Sequence, residues 1–105
     1  MNYISKITSA LGALLPDCAD EPDLLRLYAL LVLTTGTETS LEDVHEAWAC
    51  WRDATRPDHP SLVPFSDLTP EVQELDRPYR DAIRQVAASH IDAIRAVAEN
   101  QEGPS

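Results

Sequence analysis

Three prolines, Pro57, Pro60 and Pro64, fall close together between residues 55 and 68. Each lacks an amide donor and pushes the residue ahead of it out of helical geometry. No regular helix can cross that stretch, so whatever this chain folds into must place its regular elements on either side of a long extended loop. The loop also carries Leu62, Val63 and Phe65, apolar side chains that a free linker would waste. It is therefore expected to lie pinned across its neighbours with those side chains buried, and loops of this length inside small domains are commonly functional.

Before the loop, apolar residues recur at helical spacing. Tyr3, Ile4, Ile7, Leu11, Leu14 and Leu15 predict a helix over residues 2–15, packed as a lid and ended by Pro16. Pro22 suits a first helical turn and Asp23 complements the helix dipole. The following Leu24, Leu25, Leu27, Tyr28, Leu30, Leu31, Val32 and Leu33 are apolar nearly all round, which predicts a buried central helix. Residues 34–39 have no apolar period and read as a turn with Gly36 in a left-handed conformation. Ser40 followed by Asp43 forms a capping-box pattern. It opens a third helix that presents Leu41, Val44, Trp48 and Trp51 inward, turns Glu42, Glu46 and Asp53 to water, and ends by Ala54.

After the loop, Thr69 caps a short helix with Pro70 at its first position. Pro78 stops that helix near Asp76, which in turn caps a last helix running to about residue 99. Tyr79, Ile83, Val86, His90, Ile94 and Val97 lie along one seam of this helix, wide enough to pack on the core and to pair with a second copy in a homodimer. Residues 101–105 read as a disordered tail. The fold class expected is all-α: one helical domain over residues 1–100, a bundle of about five helices with a proline-rich loop between the third helix and the C-terminal ones.

A chain of 105 residues can fold alone around a modest core. Its formal charge of −10, from 18 acidic against 8 basic side chains, argues against nucleic acid as a partner, because that affinity depends on Lys and Arg neutralising phosphates. Between Asp17 and Glu46 the only basic residue is Arg26, whereas Arg52, Arg56, Arg77, Arg80, Arg84 and Arg95 follow later, which leaves room for a local basic patch in the second half. Cys18 and Cys50 have no zinc-site spacing and fit reduced thiols in a cytoplasmic protein. The N-terminal residues lack a basic leader and continuous apolar core, and the apolar run at residues 27–33 is too short to span a bilayer, so no membrane partner is expected.

Catalysis finds no footing in the motifs. There is no glycine-rich phosphate loop, no Gly-x-Ser-x-Gly elbow and no His-Glu-x-x-His pair. No enzyme activity, metal or cofactor is expected. The candidate ligand-binding residues are His45, Trp48, Trp51, Arg52, His59, Phe65, Arg77 and Tyr79. Trp51, Arg52, Arg77 and Tyr79 offer ring and guanidinium planes for stacking and for charge-assisted bonds to an anion. Each has a structural alternative: Trp48 as core, His45 as a cap on a loop carbonyl, and Arg77 in an ion pair next to a capping Asp76. His59, held extended by Pro60, points back towards the helix bearing His45.

The order Val44-His45-Glu46-Ala47-Trp48-Ala49, then His59-Pro60-Ser61-Leu62-Val63-Pro64-Phe65, then Leu68, Glu71 and Asp76-Arg77 ahead of a terminal helix resembles the ryanodine-receptor repeat (RyR) domain over residues 41–86. The whole chain, with its helical pair over residues 2–33, also looks like small proteins of actinobacteria and their phages. The resemblance implies a non-catalytic binding module, and for bacteria and phages a receptor that senses or sequesters a nucleotide-derived signalling molecule in phage–host conflict. The alternative is an acidic protein-interaction or inhibitor protein with no small-molecule ligand.

Overall fold

The computed structural model describes residues 2–102, and the side chains of residues 2–90. Among the described residues the chain is all helical: α1 (Tyr3–Leu14), α2 (Pro22–Thr34), α3 (Leu41–Thr55), the five-residue α4 (Pro70–Glu74) and α5 (Arg77–Glu102), with 3-10 turns at Pro16–Cys18, Gly36–Glu38 and Phe65–Asp67. The boundaries follow local chemistry. The Asn2 side chain accepts from the Ser5 amide at 2.9 Å to start α1. Ser40 and Asp43 form the reciprocal capping box of α3, at 3.0 and 2.9 Å. Thr69 accepts from the Val72 amide to start α4, with Pro70 at its first position.

α1, α2 and α5 share one core of Ile7, Leu11, Leu15, Leu24, Leu25, Tyr28, Ala29, Val32, Ala82, Ile83, Val86 and Ala87, to which α3 adds Val44. Ile7 and Leu11 are wholly enclosed, so α1 is part of the core and not a lid upon it. α2 is less enclosed than its composition suggests. Leu30 is 54 % exposed and Leu33 is also open, because the bundle covers only one side of that helix.

The segment between α2 and α3 is more than a surface turn. Gly36 takes a φ of +55°, the left-handed conformation that glycine tolerates best. Beyond it, Thr39 is fully buried, its hydroxyl bonding the Gly36 carbonyl and the Thr35 hydroxyl, each at 2.7 Å. The Thr39 carbonyl accepts from Arg84 Nε at 2.6 Å, which ties this turn to α5. α5 begins at Arg77 itself: a proline in the first turn of a helix loses no bond that the helix would have made. Its backbone is helical through Glu102, and residues 103–105 of the expected tail lie outside the described residues. So do the side chains of Ile94 and Val97 in the proposed pairing seam.

Candidate functional site

The proline-rich loop is folded back on α3, but by different groups from those the sequence suggests. Arg56 to Leu62 forms two consecutive turns, with His59 N–H donating to the Arg56 carbonyl and Leu62 N–H to the His59 carbonyl, both at 3.1 Å. Leu62 and Phe65 are half-buried, whereas Val63 is 38 % exposed and contributes its carbonyl instead of its side chain. That carbonyl accepts a 2.8 Å bond from His45 Nε2 on α3. Since a carbonyl only accepts, the ring proton of His45 sits on Nε2. His59 closes the other side. Its Nδ1 accepts from the Ser61 amide at 3.0 Å, and its ring meets Trp48 edge-on at 5.1 Å between centroids. Gln73 on α4 completes the fastening by donating to the carbonyls of Phe65 and Leu68 at 3.0 and 3.2 Å.

Under this fastened loop lies a recess of about 550 Å3, shared by α2, α3, the loop, α4, the start of α5 and the 3-10 turn after α1. Such a volume is typical of small-molecule sites, which run from about 300 to 1,000 Å3. His45, Trp48, Trp51, Arg52, His59 and Tyr79 all line it. His45 is 3 % exposed and stacks near Trp48 at 5.6 Å between centroids, so it serves as loop anchor and as wall at once. Trp48 is half-buried and opens on the recess, and Trp51 both packs against the core and contributes lining.

Two of the sequence candidates fall elsewhere. Phe65 stands behind His45, with ring centroids 6.0 Å apart, and does not reach the recess. Arg77 points into solvent, where it holds Glu74 with two hydrogen bonds, one of 2.8 Å. The partner raises the Arg77 pKa and lowers that of Glu74, mainly through those bonds. Asp76, expected to cap α5, makes no side-chain bond to the helix amides among the described residues and lines the recess instead.

Among the described residues Arg52 is the one guanidinium lining the recess. Its Cζ lies 4.3 Å from the ring centre of Trp51 and 6.0 Å from that of Trp48, a double cation–π contact made by residues at i, i+3 and i+4 along α3. Nε is sealed from solvent without a hydrogen-bond partner, and among the described residues Arg52 makes no ion pair. The indoles thus fix the plane of a cation whose charge the protein leaves uncompensated.

Sequence reasoning missed an acidic wall. Asp17, Cys18 and Glu21 reach the recess because Pro16 ends α1 and the chain tightens into a 3-10 turn there. Tyr79, from α5, donates its hydroxyl to Asp17 Oδ2 at 2.6 Å across 62 positions of sequence. This bond first, and burial second, raise the Tyr79 pKa, while burial does so for Tyr28, whose ring lies 5.9 Å from that of Tyr79. Burial, reinforced by the charges of Asp17 and Glu21, pushes the Cys18 thiol up to about 11. Burial likewise raises the Asp76 pKa, partly offset by His45. The only local signal for this wall was the proline at residue 16 followed by a run of acids.

Among the described residues no three His, Cys, Asp or Glu side chains are grouped so as to hold a metal ion, and no helix is long and apolar enough to cross a membrane. A family model described as a domain of unknown function, DUF7701, matches residues 2–88, a span that takes in every residue lining the recess. The chain belongs to the DUF7701 family. No curated protein and no solved structure matches it.

Proposed function

We propose that this DUF7701 protein is a non-enzymatic binding module, and that its recess receives a nucleotide-derived small molecule with the anionic group on Arg52 and the base among the aromatic rings. The observation that carries this reading is the uncompensated Arg52 guanidinium held between Trp48 and Trp51 at the recess. Arg52 Nε is sealed without a hydrogen-bond partner while the side chain as a whole is only half-buried, and stacking on indoles orients its remaining donors for charge-assisted bonds to a planar anion. The resemblance to RyR repeats points the same way and suggests a cytoplasmic receptor or sponge in phage–host conflict.

Several features speak for binding without turnover. The Cys18 thiol, pushed up to about 11, is protonated near neutral pH and so a poor nucleophile. Both imidazoles of the recess serve as loop fasteners, His45 Nε2 on the Val63 carbonyl and His59 Nδ1 on the Ser61 amide. Thermal-shift screening against cyclic dinucleotides, cyclic and linear mononucleotides and ADP-ribose derivatives tests the reading, with Arg52→Ala as the control. A melting temperature that no compound moves would refute it.

One observation favours a second reading, a protein partner. Leu27, Leu30 and Leu33 of α2 line an open groove with Cys50 and Trp51 of α3, Trp51 being the one residue it shares with the recess lining. An apolar strip on a chain of charge −10 suits a partner with an apolar ridge and a basic rim. Substituting Leu30 and Leu33 with Ser would abolish such an association and leave nucleotide binding unchanged.

A further inference from the structure

We infer that the recess selects a ligand bearing a single negative charge together with a hydrogen-bond-donor edge, such as an amino-substituted purine nucleoside carrying one phosphodiester or carboxylate, and rejects polyphosphates. The inference rests on the reading of the recess as a nucleotide site and narrows it. Its basis is the imbalance of charged groups around one cavity. Among the described residues Arg52 is the one guanidinium in the lining, against the three carboxyl groups of Asp17, Glu21 and Asp76.

The neighbouring cations are committed elsewhere. Arg77 is bound to Glu74, Arg80 to Asp81 at 2.9 Å, and Arg84 to the Thr39 carbonyl at 2.6 Å. None of them lines the recess. His59 accepts from the Ser61 amide at Nδ1, so the neutral ring carries its proton on Nε2 and offers one uncharged donor but no second positive charge. One anionic group can therefore be matched. A second would enter a recess of reduced dielectric with carboxylates around it and no further guanidinium to meet it, where like charges repel strongly.

The same carboxylates are acceptors in search of donors. Asp17 already receives the Tyr79 hydroxyl at 2.6 Å. Asp76 is different: it is half-buried, its side chain bonds no helix amide among the described residues, and burial raises its pKa. An exocyclic amine or ring N–H supplied by a ligand would satisfy it. A carboxyl kept in such a position against its own solvation is a mark of a binding site more than of a stabilising contact.

The test is a calorimetric titration of the full chain at one fixed salt concentration with adenosine, 3′,5′-cyclic AMP, AMP, ADP, ATP and a cyclic dinucleotide, repeated with the guanine counterparts. The singly charged cyclic monophosphate should bind tightest. Affinity should fall at least roughly tenfold for each added charge, the low end of the cost of a like-charge contact, and adenosine should bind more weakly than the cyclic monophosphate because it leaves Arg52 unmatched. Arg52→Gln should bring the cyclic monophosphate down to the level of adenosine. Asp76→Asn should narrow the gap between the cyclic monophosphate and ATP. Circular dichroism and unfolding midpoints establish that both variants are folded. ADP or ATP binding as tightly as the cyclic monophosphate, or adenosine equalling it, overturns the charge selection while leaving a nucleotide site in place. Heat from none of the compounds overturns the site itself along with it.

Discussion

Replacing His45 with Ala should unfasten the proline-rich loop while leaving the core intact. The Nε2–H bond to the Val63 carbonyl, at 2.8 Å, is worth about 1 kcal/mol net. The ring's contacts with Trp48 and Phe65, at centroid distances of 5.6 and 6.0 Å, add roughly another 1 kcal/mol between them. The loop is otherwise held by its own turns and by Gln73. Its local opening should therefore become easier by about 2 kcal/mol, a factor of roughly 30. Native-state hydrogen exchange reads this directly at the amides of His59, Ser61 and Leu62, whose acceptors all lie within the loop or at its edge. His45→Phe separates the two contributions, since it keeps a ring and removes the donor, and should speed exchange only about fivefold. The amides of α2 and α5, far from the loop bond, should keep their protection relative to the overall stability. Unchanged loop exchange in His45→Ala, or uniform acceleration through every helix, would refute the argument that this one imidazole anchors the loop over the recess.

Asp76→Asn should stabilise the protein at neutral pH. Burial raises the folded-state pKa of Asp76 above its ordinary value of 3.8, so the folded chain favours the protonated form and loses stability as pH rises through that raised pKa. The gain in Tm over wild type should therefore be present at pH 7 and shrink as the pH falls towards 3.8; a gain that grows on acidification would contradict the sign. Gly36→Ala imposes a side chain on a φ of +55°, and although the nearest atom, Ala87 Cβ, is 3.9 Å from the added Cβ, the backbone term alone should cost about 1 kcal/mol and lower Tm by roughly 4–8 °C, readable by calorimetry. In thiol labelling at pH 8, exposed Cys50 should react quickly and buried Cys18 only on unfolding, with mass spectrometry of the labelled peptides as the readout. Equal labelling of the two in the folded protein would contradict the burial of Cys18.

Features that depend on residues within about four positions were legible before the fold was known. The Ser40–Asp43 box, the Thr69 cap ahead of Pro70 and the left-handed Gly36 each follow from local side-chain and backbone geometry. The gathering of His45, Trp48, Trp51, Arg52, His59 and Tyr79 was partly legible too, because four of them lie on one helix and the prolines force the next segment to turn back. Most of what escaped was set by distance in the chain, the exception being a local pair that competed for Arg77. Arg77 was taken by Glu74, three residues away, and Phe65 turned behind His45, while Asp17, Cys18 and Glu21 arrived from the other end of the domain.

By itself, then, the order of residues determined that this chain is helical, where most of its helices begin, and that a stiff loop interrupts them, since periodicity and caps are short-range properties of the backbone. Only the tertiary structure decided that the loop is tied by the Val63 carbonyl as well as by the Phe65 ring, and that among the described residues a single stacked guanidinium shares one recess with three carboxyl groups. Those outcomes depend on which helix faces reach the core and which remain uncovered, and that competition for burial is settled by the packing of α1, α2, α3 and α5 together.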